Sequence, residues 1–330
     1  MNPLLFLPPV AAFLGTLFLI REWIPAAFRI GLVGKDMNKP DKHPVAEMGG
    51  VGVMGGLLAG LLSYISLNTF VLDQASYNLE LFATVSSIVI IAFVGLIDDF
   101  LGWKIGLKQW QKPLLTIPAA LPMMVINAGH STMSLAFFGD INFGILYPLL
   151  IVPIGVVVAS NGFNMLAGYN GLEAGMGFVA ISFMTLVLYL TGNSWVAMIG
   201  LVTLATLVAF LIFNWYPSKI FPGNAFTYMM GAVIACMAIL GNVEKLAIIL
   251  FIPYVIDFIL PLRSKMKAEA FAKVNPDGSL EKPYEKIYDS THLMIVIISK
   301  LKKKVFERDV TLSLMALELI LGLVGLTLYL

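Results

Sequence analysis

One cysteine, three histidines and few charges of either sign mark this 330-residue chain. The lone Cys236 excludes a disulfide framework and any metal site built from several cysteines, and its place within an apolar run makes it a small buried thiol. Charged residues are 12% of the chain and hydrophobic ones 59%. Soluble domains carry about 25% charge, so the composition is that of an integral membrane protein. The opening Met1-Asn2-Pro3, followed by the apolar run 4–20, has neither a basic n-region nor a small-residue cleavage site, and reads as a retained helix and not a signal peptide. There is no low-complexity tract, no internal repeat and no sign of nucleic-acid binding.

Apolar runs alternate with short polar breaks from Leu4 to Leu330. Ten of them, 4–24, 49–71, 80–97, 113–128, 143–159, 172–191, 195–213, 225–241, 245–261 and 309–330, reach or approach the roughly 20 residues that cross a hydrocarbon core. Threaded in alternation, they leave the breaks 21–48, 98–112, 160–171, 214–224 and 262–308 on one side with 20 of the 21 Lys and Arg, and Lys245 alone opposite. The positive-inside rule makes that side cytoplasmic, in a cell membrane or endoplasmic reticulum membrane, and the even count puts both termini outside. The expected fold is an all-α polytopic membrane protein, a single domain over 1–330 with about ten transmembrane helices and a cytoplasmic insertion at about 262–308. Within the insertion, Asn275-Pro276-Asp277-Gly278 has the chemistry of a β-hairpin turn. An amphipathic helix from about Thr291 to Val305 would follow, with Lys300, Lys302, Lys303 and Lys304 near the headgroups. Anchoring to anionic lipid and binding of substrate explain these lysines equally well.

Polar residues at membrane depth are candidates for function. Asp98-Asp99 ends one apolar run with two adjacent carboxylates, which repel unless a cation or metal lies nearby, an arrangement suited to phosphoryl transfer as well as to a solvated helix end. The break 160–171 has three Asn and three Gly but no basic residue, so it offers amide groups and exposed backbone N–H groups for a nucleotide base or phosphate. A tight Asn/Gly turn is the plainer account, yet it leaves Asn161 and Asn164, spaced i, i+3 on one helical face, unexplained. In the break 214–224, Phe221 suits either an interfacial aromatic belt or a stacking platform, and Gly223-Asn224 opens the next helix. The loop from Asp36 through Glu47 leads into a glycine-rich helix, where close packing accounts for the glycines.

Taken in order, Gly95-Leu96-Ile97-Asp98-Asp99, Gln111-Lys112-Pro113, the stretch from Asn161 through Asn170 to Gly175, Asn214-Trp215-Tyr216-Pro217-Ser218 with Phe221-Pro222-Gly223-Asn224, and Glu307-Arg308-Asp309-Val310-Thr311-Leu312 resemble the polyprenyl-phosphate N-acetylhexosamine-1-phosphate transferases. The likeness covers nearly the whole chain and is strongest to the branch of the eukaryotic dolichyl-phosphate N-acetylglucosamine-phosphotransferase and its archaeal relatives. It implies ten spans, a cytoplasmic site, and displacement of UMP from a UDP-sugar by a lipid phosphate, the first membrane step of glycan assembly such as N-glycosylation, with Mg²⁺ or alternatively Mn²⁺ on the diphosphate. By the resemblance, Asp98, Asp99 and Lys112 are catalytic, Asn164 and Asn224 hold metal, and Glu47, Asn161, Gly168, Asn170, Phe221 and Arg263 bind the nucleotide sugar. A homodimer is compatible with it.

Three departures stand out. Asn224 replaces the Asp found in many relatives, Gly102 breaks the bacterial Asp-Asp-x-x-Asp form, and 262–308 lacks the arginine–histidine or histidine motif that grips the diphosphate, leaving Arg263, Lys265 and Lys267 as the nearest substitutes. The rival class is a transporter or flippase using Asp257 and Glu318. Transporters bind near the midplane, often between repeated halves, whereas the polar clusters here gather at one face.

Overall fold

The computed structural model describes residues 2–72, 75–102, 106–135 and 139–330. Its helices and strands follow the apolar runs and their breaks. After a 3₁₀ turn, α1 (Leu7–Ile30) leads to a two-stranded antiparallel pair, β1 (Val33–Lys35) and β2 (Pro44–Ala46), and then to α2 (Gly50–Phe70) and α3 (Asn78–Leu101). Next come the short helices α4 (Gln111–Thr116) and α5 (Leu121–Val125), and the antiparallel pair β3 (Thr132–Leu135) and β4 (Gly139–Asn142). A π-helical turn at Tyr147–Ile151 continues into α6 (Val152–Phe163), followed by α7 (Leu172–Leu190), α8 (Ser194–Asn214) and α9 (Gly223–Gly241). Then α10 (Glu244–Leu250) and α11 (Ile252–Leu262) meet at a 48° bend. The insertion holds β5 (Lys273–Val274), β6 (Leu280–Glu281) and α12 (Ser290–Ser299), and α13 (Glu307–Leu326) closes the order.

Helix α9 is the axis. Of its most apolar stretch, 89% is buried inside the bundle, against 22% for α1 and 33% for α13, whose apolar side chains face outward as lipid contact requires. Small residues allow this. A Cβ on Gly95 of α3 would lie 2.5 Å from the Ala225 Cα, and one on Gly231 would lie 2.3 Å from the Ala159 carbonyl oxygen of α6, so backbones touch where glycine stands.

Among the described residues, seven helices are long and apolar enough to cross a membrane, or eight if α10 and α11 form one bent span. The expected runs 113–128 and 143–159 differ. Pro113, Pro118 and Pro122 each lack an N–H, and the stretch from Gln111 to Val125 breaks into a helix, a 3₁₀ turn and a helix, while Tyr147–Phe163 is a shorter apolar helix. Pro253 likewise accounts for the bend between α10 and α11.

In the insertion, Asn275 and Gly278 close the hairpin turn through a 2.9 Å backbone bond, with Gly278 at φ +79. The expected helix to Val305 stops at Ser299: Asp289 caps its start, but Lys300, Lys302, Lys303 and Lys304 follow it in an irregular segment. Lys302 pairs with Asp309 at 2.6 Å and Lys304 with Asp277 at 2.7 Å, so two of these lysines brace the insertion. Neither β1–β2 nor β3–β4 was legible in the sequence, because strands of three or four residues carry too little alternation.

Candidate active site

The C-terminal turn of α3 meets the N-terminal turn of α9. Asp99 accepts the Asn224 N–H at 2.7 Å on one oxygen and the Ala225 N–H at 3.1 Å on the other, satisfying two of the free donors that begin α9 and placing a negative charge at the positive end of its dipole. Gly223 is required beside it. Its φ is +75, and a Cβ there would lie 2.8 Å from an Asp99 oxygen.

Asp98 is turned elsewhere. It is 3% exposed and accepts the Leu107 N–H at 2.7 Å through Oδ1. Its Oδ2 lies 2.8 Å from Lys112 Nζ and accepts the Tyr228 hydroxyl at 3.4 Å. Lys112 reaches from α4, and Tyr228 stands on α9 one turn beyond Asn224. One residue before Tyr228, Thr227 donates to Asn164 Oδ1 at 2.5 Å. Asp98, Asp99, Lys112, Asn164 and Asn224, drawn from four separate stretches, thus meet around the first two turns of α9. Glu47 lies within electrostatic reach of Asp99 and packs against Gly34, and burial pushes its carboxyl above the ordinary value. Asn161 binds Thr116 Oγ1 and the Val157 carbonyl oxygen, both at 2.9 Å, which ties α6 to α4.

A second polar knot surrounds Asn170. Its Nδ2 donates to Asp36 at 3.1 Å, its Oδ1 accepts the Ser218 N–H at 2.8 Å and Lys39 Nζ at 3.3 Å, and its backbone N–H donates to Glu307 at 2.7 Å. Thr311 donates to its carbonyl oxygen at 3.3 Å. Gly168, at φ +99, sends its N–H to Glu173 at 2.9 Å and accepts Asn38 Nδ2 at 3.0 Å. Phe221 is held by its backbone, its N–H on the Ala46 oxygen at 2.7 Å and its own oxygen on the Gly49 N–H at 2.9 Å.

Arg263 stands apart: its exposed guanidinium donates to the Ile287 carbonyl oxygen at 3.2 Å, holding the insertion to the end of α11. Asp257 accepts the Ser290 N–H at 2.8 Å and so docks α12, while Glu318 is fully buried with neither carboxyl oxygen hydrogen-bonded. Tyr228, Thr227 and Lys39 were not foreseen as parts of a site. The first two share one helical face with Asn224, at i+3 and i+4, and that spacing was the available signal.

A model of glycosyl transferase family 4 matches residues 81–242. A relative in Saccharolobus solfataricus is 40% identical over 83% of this chain and 82% of its own length, and one in Sulfolobus acidocaldarius is 33% identical over 97% and 95%. The chain belongs to glycosyl transferase family 4. Both relatives are provisionally named UDP-N-acetylglucosamine–dolichyl-phosphate N-acetylglucosaminephosphotransferases, and a Dictyostelium discoideum protein of that name is 27% identical over 69% of the chain. The family 4 match takes in Asp98, Asp99, Lys112, the Asn-rich stretch, Phe221 and Asn224, whereas Glu47, Arg263 and Glu307 lie outside it.

Among the described residues, no group of three or more His, Cys, Asp or Glu could hold a metal ion. The family 4 site offers instead the amide oxygens of Asn164 and Asn224, of which Asn164 Oδ1 accepts one hydrogen bond and keeps a lone pair. Hard divalent cations accept such oxygens, and Mg²⁺ commonly keeps few protein ligands beside waters and substrate phosphates. The donor set fits an ion brought to the site with a diphosphate.

Proposed function

We propose that this chain transfers N-acetylglucosamine 1-phosphate from UDP-GlcNAc to dolichyl phosphate or another polyprenyl phosphate. A phosphate oxygen of the lipid forms a bond to the sugar-bearing phosphorus, the bond from that phosphorus to the bridging oxygen breaks, and UMP leaves. The observation that carries this reading is the meeting of Asp98, Lys112 and Asn164 at the first two turns of α9. Catalysis of phosphoryl transfer is largely placement and charge neutralisation, and this cluster supplies both.

The two aspartates divide the work. Asp99, with both oxygens on backbone N–H groups, positions the start of α9. Asp98 faces Lys112, so an arriving phosphate can draw the ammonium toward itself and leave the Asp98 carboxylate to orient or deprotonate the acceptor. Asn164 and Asn224 would hold Mg²⁺, with Mn²⁺ as a substitute; the ion supplies neutralisation of diphosphate charge. Glu47, Asn161, Gly168, Asn170 and Phe221 form the nucleotide-sugar side, and Arg263 acts on it through the insertion. Ten spans, with 111–125 and 147–163 as two short ones, a cytoplasmic site and outward termini complete the reading; the one-sided distribution of Lys and Arg supports it.

Purified protein given UDP-GlcNAc and a polyprenyl phosphate should release UMP only when both are present, and mass spectrometry of the extracted lipid should find the diphosphate-linked sugar. UMP release that ignores the lipid phosphate would refute transfer. Offering other UDP-sugars in the same assay tests the choice of GlcNAc.

A further inference from the structure

Lys39 is only 7% exposed, yet its ammonium has a full set of partners. It lies 3.1 Å from Asp36 Oδ2, 3.3 Å from Asn170 Oδ1 and in contact with Glu307, with the Tyr216 ring 4.4 Å below it. A buried ammonium is tolerated only when its charge and its three donors are answered, and here they are. The partners come from the β1–β2 loop, the Asn-rich break, the break before α9 and the first turn of α13. Gly168 lies two residues before Asn170, and Phe221 lies three after Ser218, whose N–H shares the Asn170 oxygen with Lys39. The two walls expected to flank the nucleotide base therefore hang from one knot, and Lys39 is its only cation in contact with both carboxylates among the described residues.

We propose that Lys39 is a positioning residue for the nucleotide end of the proposed reaction, setting the gap between Gly168 and Phe221 through Asn170, with Glu307 as its counter-charge. The proposal rests on the transferase reading above. Without the ammonium, Asp36 and Glu307 confront each other across Asn170 and the breaks move apart. Because Lys39 is enclosed by protein, its loss acts on the shape of the site and not on a contact with phosphate.

The test uses the full chain in lipid nanodiscs, with Lys39→Met and Glu307→Gln; the second keeps Lys39 balanced by Asp36 and serves if the first does not fold. Lys39→Met should weaken UDP and uridine by the same factor, about tenfold, and Glu307→Gln by about threefold. The KM for UDP-GlcNAc should rise in parallel, while the KM for dolichyl phosphate and kcat at saturating UDP-GlcNAc stay within about twofold. Weaker UDP with unchanged uridine would make Lys39 a phosphate contact and overturn the proposal. So would unchanged affinity for both ligands, or a fall in active fraction or kcat alone. If the parent protein binds UDP but makes no lipid product, the transferase reading fails instead.

Discussion

The two polar knots differ in how much freedom they leave. Around Asn170 the side chain and both backbone groups are engaged with protein partners, and the whole assembly is buried. Around Asp98 the bonds are fewer and looser: the Lys112 side chain is 19% exposed, the Tyr228 contact is 3.4 Å long, and the Asn224 side chain carries no hydrogen bond among the described residues. A saturated network resists rearrangement, and an unsaturated one can exchange partners with an incoming ligand. Frame and proposed reactive centre are built from the same residue types, separated by how completely those residues are satisfied.

The sharpest break of this comparison is at Asp98 and Lys112. Asp98→Asn and Lys112→Ala should each lower UMP release by about 10²- to 10³-fold with thermal unfolding shifted little, since Lys112 can turn to solvent. Near-parental turnover in either folded variant would remove that residue from catalysis. Asp99→Asn should behave as a frame mutation: an amide can accept only one of the two α9 N–H groups, so stability falls by about 1 kcal/mol and turnover by about tenfold together. A full catalytic loss at unchanged melting temperature would give Asp99 a chemical role.

Next in size is the metal. Asn224→Asp should lower the Mg²⁺ concentration for half-maximal activity by about threefold, and Asn224→Ala should raise it, because a hard cation favours a charged oxygen. Equal Mg²⁺ titrations in parent and both variants would reduce Asn224 to a helix-start residue. The smallest effect concerns Glu47. Burial raises its folded value above 4.5, so the folded protein prefers it protonated; the stability it contributes is present at pH below 4.5 and is lost as pH rises through the raised value. Glu47→Gln should therefore melt about 1–2 °C higher than the parent at about pH 8 and equally at about pH 4. A gain that persists at the acid end would trace to packing and not to ionisation.

The sequence announced the Asp pair and the Asn-rich break because costly polar groups interrupt apolar runs there. Lys39 and Glu307 gave no such signal: each lies in a polar stretch, and their separation by 268 positions hides their contact. Spans were legible where one continuous helix fills the apolar run, whereas the break of 113–128 into short helical pieces was not, because hydropathy is indifferent to the three missing N–H groups. The helix expected to reach Val305 stopped early because Lys302 and Lys304 satisfy Asp309 and Asp277 from an irregular segment. Hydropathy reports where a chain can lie, whereas the partners of individual charges report how its breaks are joined.

The Glu307 contact also has a consequence in time. α13 follows every other described helix in chain order, so during synthesis Lys39 has Asp36 beside it, but the ammonium and the Asn170 N–H must wait for Glu307 to complete their hydrogen bonds. A chain growing at about 5–20 residues per second would insert its earlier helices well before that partner emerges. The proposed nucleotide side is thus completed only by α13, and a ribosome-bound or truncated chain ending before residue 307 would sit in the membrane with its apolar bundle largely assembled and no ordered place for a uridine ligand.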